Sequence, residues 1–139
     1  MLWILGFYHE ATRPDRDDYI YVDYDTLENY EKAQDARVTN DTRRQYVKCN
    51  ETTTGKTLGC VIRSQYDANS IMHYPLNRQY GNKIFKVMRL KAKAVDLCDG
   101  GKCNTGQRSG LSRQDVLDIN QLYDCKKGKS DLVVLLLHL

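Results

Sequence analysis

The cysteine spacing constrains this chain more than any other feature: Cys49 with Cys60, Cys98 with Cys103, and Cys125 alone. Each pair brackets a short polar loop containing glycine, so a disulfide can close it without strain elsewhere. The alternative for Cys98-Asp99-Gly100-Gly101-Lys102-Cys103 is a zinc site. A tetrahedral site needs two further thiolates or imidazoles, and the neighbourhood has none, so disulfide staples are the favoured reading. Such bonds persist in oxidising compartments. Asn40-Asp41-Thr42 and Asn50-Glu51-Thr52 agree with that setting, because both fit the acceptor pattern for N-glycosylation. The odd cysteine, Cys125, is either a reactive thiol or half of a bond whose partner lies outside these residues.

At 139 residues and 41% hydrophobic content the chain can bury one core at most. Its 21 Lys and Arg against 18 Asp and Glu leave a net charge of +3 with no long basic run, which argues against nucleic acid as a partner. Ten Tyr stand against two Phe and one Trp, a balance suited to half-wet clefts, since tyrosine has an apolar body and a hydrogen-bonding tip. Residues 1–7 form a short apolar run without a basic leader or a small-residue cleavage site, so they are not read as a secretory signal. Residues 131–139 are strongly apolar but well short of the roughly 20 needed to span a bilayer. No membrane anchor is expected, and residues 126–139 are read as a tail that is not native protein.

Along the chain, residues 1–9 read as the end of a buried helix closed at Gly6, which takes the left-handed conformation cheaply. Residues 13–25 open with turn chemistry and then alternate around Tyr19, Ile20 and Val22, as an extended segment does. Asp25 is the expected cap of a helical turn or two through Leu27, Tyr30 and Ala33. Residues 35–69 show no sustained period and are expected to be irregular, held by the Cys49–Cys60 staple. The clearest helix lies late. Ser112 offers an N-cap hydroxyl, Asp115 stands at the third helical position, and Val116, Ile119, Leu122 and Tyr123 recur on one face. Lys126, Lys127 and Gly128 are the expected stop.

Zinc peptidase motifs of the form H-E-x-x-H-x-x-G-x-x-H set two His one helical turn apart. A Gly then breaks the helix and brings the third His back, while the Glu polarises the bound water. With His9 as the third His, the Gly falls at Gly6, which matches. The second His falls at Trp3, and the Glu and first His fall before residue 1.

Gly6-Phe7-Tyr8-His9-Glu10, followed by Arg13-Pro14-Asp15-Arg16-Asp17-Asp18-Tyr19, closely resembles the segment of an astacin-type metalloendopeptidase that joins the zinc helix to the lower half of the catalytic domain. Tyr66-Asp67-Ala68-Asn69-Ser70-Ile71-Met72-His73-Tyr74-Pro75 resembles that family's Met-turn. Gly106-Gln107-Arg108-Ser109-Gly110-Leu111-Ser112, with Asp115, Asn120 and Leu122-Tyr123-Asp124-Cys125, resembles its closing helix and last cysteine. The three motifs stand in the family's order across residues 5–125. Singly, His9, Met72, Tyr74 and Arg108 are ordinary residues; order and spacing raise them to candidates.

The resemblance implies an α+β chain, the C-terminal subdomain of a metzincin or zincin-like fold, mostly irregular, with little sheet and a capped C-terminal helix. It makes His9 the third zinc ligand, Tyr74 the phenol that binds zinc or stabilises the oxyanion, and Met72 the floor of the site. Glu10 is implied to be the buried carboxylate that in mature members meets the new N-terminal ammonium. Arg108 lies where the family builds the pocket for the side chain after the scissile bond, and an acidic side chain suits it by charge. Cys125 is implied to pair with a cysteine upstream of the zinc helix.

Residues 1–125 are thus expected to be part of a secreted, zinc-dependent endopeptidase domain truncated on its N-terminal side, acting on peptide or protein substrates. One imidazole and one phenol do not hold zinc against water, and the motif Glu that serves as general base is missing, so this chain alone is expected to be inactive. The rival expectation is a non-catalytic peptide-binding or decoy module, in keeping with Trp3.

Overall fold

The computed structural model describes residues 5–34, 44–49 and 60–125. The expectations for Trp3 and the entering helix, for Asn40 and Asn50, for the irregular stretches 35–43 and 50–59, and for the tail 126–139 lie outside the described residues. The fold is α+β, and its strands are short. β1 (Ile20–Val22) pairs antiparallel with β4 (Met88–Leu90) in the register Ile20 to Leu90, Tyr21 to Arg89 and Val22 to Met88. The alternation read in the sequence sets its faces: Ile20 and Val22 are buried while Tyr21 is exposed under the Arg89 guanidinium, 4.7 Å from its ring centroid.

β2 (Asn77–Tyr80) and β3 (Lys83–Lys86) form a separate hairpin with Tyr80 opposite Lys83. The two-residue turn begins at Gly81, whose φ of 56° is one a side chain resists. Only Phe85 of the hairpin strands is buried, with its ring edge-on to Tyr30 at 5.4 Å. Little sheet was expected, and two two-stranded sheets are what forms among the described residues.

α1 (Tyr24–Gln34) is longer than the expected turn or two, and its cap is Asp23 rather than Asp25. The Thr26 amide donates to Asp23 Oδ1 at 2.9 Å and the Leu27 amide to the Asp23 carbonyl at 3.0 Å. Asp23 wins because β1 ends at Val22 and the helix starts at Tyr24, which puts Asp23 at the cap position and Asp25 in the first turn. The buried face is Leu27 and Glu31, one turn apart, while Ala33 is exposed. A short α2 (Ala92–Val95) follows β4, and Cys98–Cys103 then closes the loop around Gly100 and Gly101, with Cα atoms 5.2 Å apart. Cys49–Cys60 is bridged with Cα atoms 6.0 Å apart, and Cys125 is an exposed free thiol.

α3 (Arg113–Leu122) carries the expected capping box. Ser112 Oγ accepts from the Asp115 amide, and Asp115 Oδ2 accepts from the Ser112 amide. Ile119 is buried, but Tyr123 leaves the predicted apolar face: it is 52% exposed at the C-cap and its hydroxyl donates to the Leu5 carbonyl at 3.2 Å. The helix has unwound there, so the 3.6-residue period no longer places the side chain. Among the described residues no helix is long and apolar enough to cross a membrane.

The main core gathers Ile20, Val22, Leu27, Tyr46, Tyr66, Phe85, Val87 and Met88. Fully burying each aliphatic or aromatic side chain of this kind contributes about 1.5–3 kcal/mol. A smaller cluster of Met72 and Ile119, flanked by Leu5, Phe7, Ile71 and Leu111, attaches α3 to the turn at 70–74. Gly106 brings the following loop onto that turn: its φ is 74°, and a Cβ there would lie 2.6 Å from Pro75 Cα. Gly106→Ala is therefore expected to cost about 3 kcal/mol, combining left-handed strain with a clash against backbone that cannot swing aside. Urea denaturation measures this, and a loss below about 1 kcal/mol would show that the two segments separate easily.

Candidate active-site cleft

Gly6, at a φ of 78°, turns the chain, and His9, itself extended, lies beside the turn at 70–74. Met72 anchors the meeting point through its carbonyl, which accepts from His9 Nδ1 at 2.8 Å and from the Glu10 amide at 3.3 Å. A carbonyl only accepts, so Nδ1 carries the proton and Nε2 keeps its lone pair. This is the tautomer in which a histidine serves as a metal ligand, its other nitrogen donating to backbone. Burial, aided by the charges of Arg108 and Arg78, holds the His9 pKa below its ordinary value against the opposing pull of the Met72 carbonyl. A neutral imidazole is the form that ligates.

Tyr74 stacks on His9 with ring centroids 4.1 Å apart and an interplanar angle of 29°. Its phenol is pushed up to about 12, mainly by burial. Met72 is 7% exposed and packs against Ile119. His9 and Tyr74 line a cleft of about 320 Å³ together with Gly6, Phe7, Tyr8, Thr12, Arg44 and Gln45, and Met72 meets His9 through its carbonyl.

The turn is held from both ends. Ser70 Oγ donates to Asp115 Oδ1 at 2.6 Å and accepts from the Met72 amide at 2.9 Å, while the Ile71 amide donates to Asp115 Oδ2 at 3.0 Å. Asp115, read in the sequence as a helix cap alone, therefore also fixes the turn at 70–74. His73 does not line the cleft and is fully buried. Its Nδ1 donates to the Tyr74 carbonyl at 2.6 Å, so its Nε2 accepts from the Tyr66 hydroxyl at 2.7 Å. Burial drives its pKa down to about 4. Tyr66 in turn stacks on Tyr19 at 4.5 Å. Sequence reasoning missed this pair, although both residues stand inside the quoted Met-turn motif.

Glu10, next to His9 in the chain, has partners of its own. Its carboxylate pairs with Arg13 at 3.3 Å and accepts from the Asp67 amide at 3.1 Å. Burial outweighs both and pushes its pKa up to about 8. Arg108 is exposed, and its Nη1 donates to the carbonyls of Ile71 at 3.0 Å, His73 at 3.2 Å and Gln107 at 2.6 Å. The guanidinium is thereby pinned over the turn, with its charge directed at His9 and His73.

The donor chemistry fits zinc only as part of a set. His9 has the tautomer for it and Tyr74 stands beside it, yet among the described residues no group of three or more His, Cys, Asp or Glu is placed to hold a metal ion.

Three comparisons bear on this arrangement. The peptidase family described as Astacin matches residues 1–124. An astacin-like metalloendopeptidase of Gallus gallus is 32% identical over 123 residues, covering 88% of this chain and 24% of the relative. The meprin A subunit beta of Mus musculus is 30% identical over 130 residues, 93% of this chain and 15% of the relative. In three dimensions the chain is similar to high choriolytic enzyme 1, a hatching enzyme zinc-protease from Oryzias latipes, with a TM-score of 0.55 at 27% identity, covering 88% of this chain and 48% of that structure. The chain spans a quarter or less of the length of these two relatives and about half of the solved domain. With the family matching nearly the whole described length and His9 stacked on Tyr74 and bonded to the Met72 carbonyl, the chain belongs to the astacin family.

Proposed function

We propose that residues 1–125 are the C-terminal part of a secreted zinc endopeptidase domain that contributes one imidazole, one phenol and part of the substrate cleft, and that the 139-residue polypeptide alone does not cleave peptides. The observation that carries this is the His9 Nδ1 bond to the Met72 carbonyl with Tyr74 stacked on the same ring. His9 would hold zinc through Nε2, with Tyr74 beside it. When bound in a complete site, zinc supplies an acidified water and a Lewis acid for peptide hydrolysis.

This chain's own residues then have separable tasks. Met72 and Asp115 hold His9 and the turn at 70–74 in register. Tyr74, protonated throughout the physiological range, donates to an oxygen that gains charge during hydrolysis. Arg108, bonded to the Ile71 and His73 carbonyls beside Tyr74, would by the family resemblance favour an acidic side chain after the scissile bond. The two bridged cysteine pairs support the secreted assignment. Residues 126–139 lie beyond this unit.

A lone imidazole beside a neutral phenol binds zinc weakly, because catalytic sites use three protein ligands. The purified polypeptide is therefore expected to bind no stoichiometric zinc in equilibrium dialysis and to show no chelator-sensitive cleavage of a fluorogenic peptide library. Stoichiometric zinc, with cleavage abolished by chelation, would overturn inactivity. Trp3, standing where the motif has its second His, favours a second reading in which the cleft binds peptide without hydrolysis. Zinc-independent binding of an acidic peptide, lost in Arg108→Ala, would select it.

A further inference from the structure

We propose that Tyr46 and Arg78 form a latch that holds the Tyr74 ring in its stack on His9. The inference rests on Tyr74 being the phenol of the proposed site, and it assigns positioning roles to two residues that the sequence motifs do not mark. Around Tyr74 three groups converge. His9 is stacked at 4.1 Å, the Tyr46 ring lies 5.1 Å away at 48°, and the Arg78 guanidinium stands 5.3 Å from the Tyr74 centroid. Arg78 is four residues beyond Tyr74, on β2, so the hairpin carries the cation back over the ring.

Among the described residues no carboxylate holds the cation there. Its terminal nitrogen donates to the Tyr46 hydroxyl at 3.2 Å, and its Nε is shielded from solvent with no hydrogen-bond partner among the described residues. An orphaned buried donor is costly, so an arginine in this position needs compensation, which the Tyr74 face and the Tyr46 oxygen supply. Tyr46 is itself held in place. It is fully buried, and its carbonyl accepts from Arg16 and from the Tyr24 hydroxyl, the latter at 3.3 Å. Arg16, 3% exposed, is fixed in turn by the Ala11 carbonyl at 2.7 Å and the Tyr24 hydroxyl at 2.6 Å.

A rigid chain of contacts thus runs from the turn before β1 through Arg16 and Tyr46 to Arg78, and ends on the phenol. Tyr74 leaves its stack only if Arg78 moves, and Arg78 moves only by giving up the Tyr46 oxygen. The latch opposes excursions of the phenol and sets its resting position relative to His9.

The test uses the full 139-residue chain labelled with 3-fluorotyrosine, with the Tyr74 fluorine line assigned by its absence in Tyr74→Phe. His9 ring protons, shifted upfield by the stack, give a second readout. Tyr46→Phe removes one oxygen and keeps the ring; Arg78→Lys keeps a cation without the fork; Arg78→Ala removes both. The expected result is graded. Arg78→Ala loses most of the His9 upfield shift and moves the Tyr74 line, Tyr46→Phe moves both in the same direction by less, and Arg78→Lys restores part of what alanine loses. Melting temperatures identify any variant that fails to fold, and Tyr46→Phe, the mildest, then decides. A folded Tyr46→Phe with wild-type Tyr74 and His9 signals overturns the latch, as does a folded Arg78→Ala with both unchanged. None of these readouts involves zinc or peptide cleavage, so the latch and the peptidase reading fail separately.

Discussion

Arg16→Ala is expected to destabilise the chain by about 3–5 kcal/mol, the range for removing one member of a buried, hydrogen-bonded charged network. Arg16 is 3% exposed, and its guanidinium serves four oxygens: the carbonyls of Ala11 and Tyr46, the Tyr24 hydroxyl and Asp17 Oδ1, the last at 2.8 Å. Ala11 and Tyr46 are fully buried, so water does not replace the lost donor without opening the core. Each orphaned acceptor costs about 1–3 kcal/mol, and the missing side chain adds a cavity. Arg16→Lys is expected to recover little, because one ammonium cannot reproduce a planar fork spread over separate elements. Denaturant unfolding followed by near-ultraviolet circular dichroism measures both variants. A loss under about 1 kcal/mol for the alanine variant would mean that the first turn and the segment 44–49 are held by something else.

Asp115→Ala is expected to cost about 3 kcal/mol and to loosen the cleft as well as the helix. One carboxylate satisfies the Ser112 amide at the start of α3, the Ile71 amide and the Ser70 hydroxyl. Losing the capping box accounts for about 1 kcal/mol, and the two orphaned donors of the turn for the remainder. The Met72 amide donates to that same Ser70 hydroxyl, and the Met72 carbonyl is what His9 holds. Amide exchange should therefore accelerate at Ile71 and Ser112 together, and the upfield shift of the His9 ring should shrink. Asp115→Asn keeps one acceptor and is expected to fall between. If exchange accelerates at Ser112 alone, Asp115 is only a helix cap and the turn is held by other means.

These two residues mark the boundary between what neighbouring residues specify and what distant ones do. The capping box was legible because Ser112 and Asp115 are one turn apart, and the geometry that joins them belongs to any helix start. The same locality made the cysteine staples readable, closing over sequence separations of 11 and 5, and made the alternation at Ile20 and Val22 a fair guide to β1. The spacing of Gly6 and His9, with the Met-turn motif downstream, placed the family before any coordinates did.

The tertiary structure decided what depends on groups far apart in the chain. The β2–β3 hairpin was not read, because only Phe85 of its strand residues is buried and a two-residue period has little to show on a mostly exposed ribbon. The cap of α1 went to Asp23 over Asp25 because β1 ends where it does, and β1 is fixed by pairing with a strand far along the chain, Ile20 to Leu90. Asp115's second task joins it to Ser70 across a separation of 45, and Arg78 reaches Tyr46 across 32. Local propensity acts within a turn or two of helix. A hydrogen bond between residues this distant forms only after the core has brought them together, so the sequence determined the local elements and the family, while packing alone decided which buried groups hold His9 and Tyr74 in place.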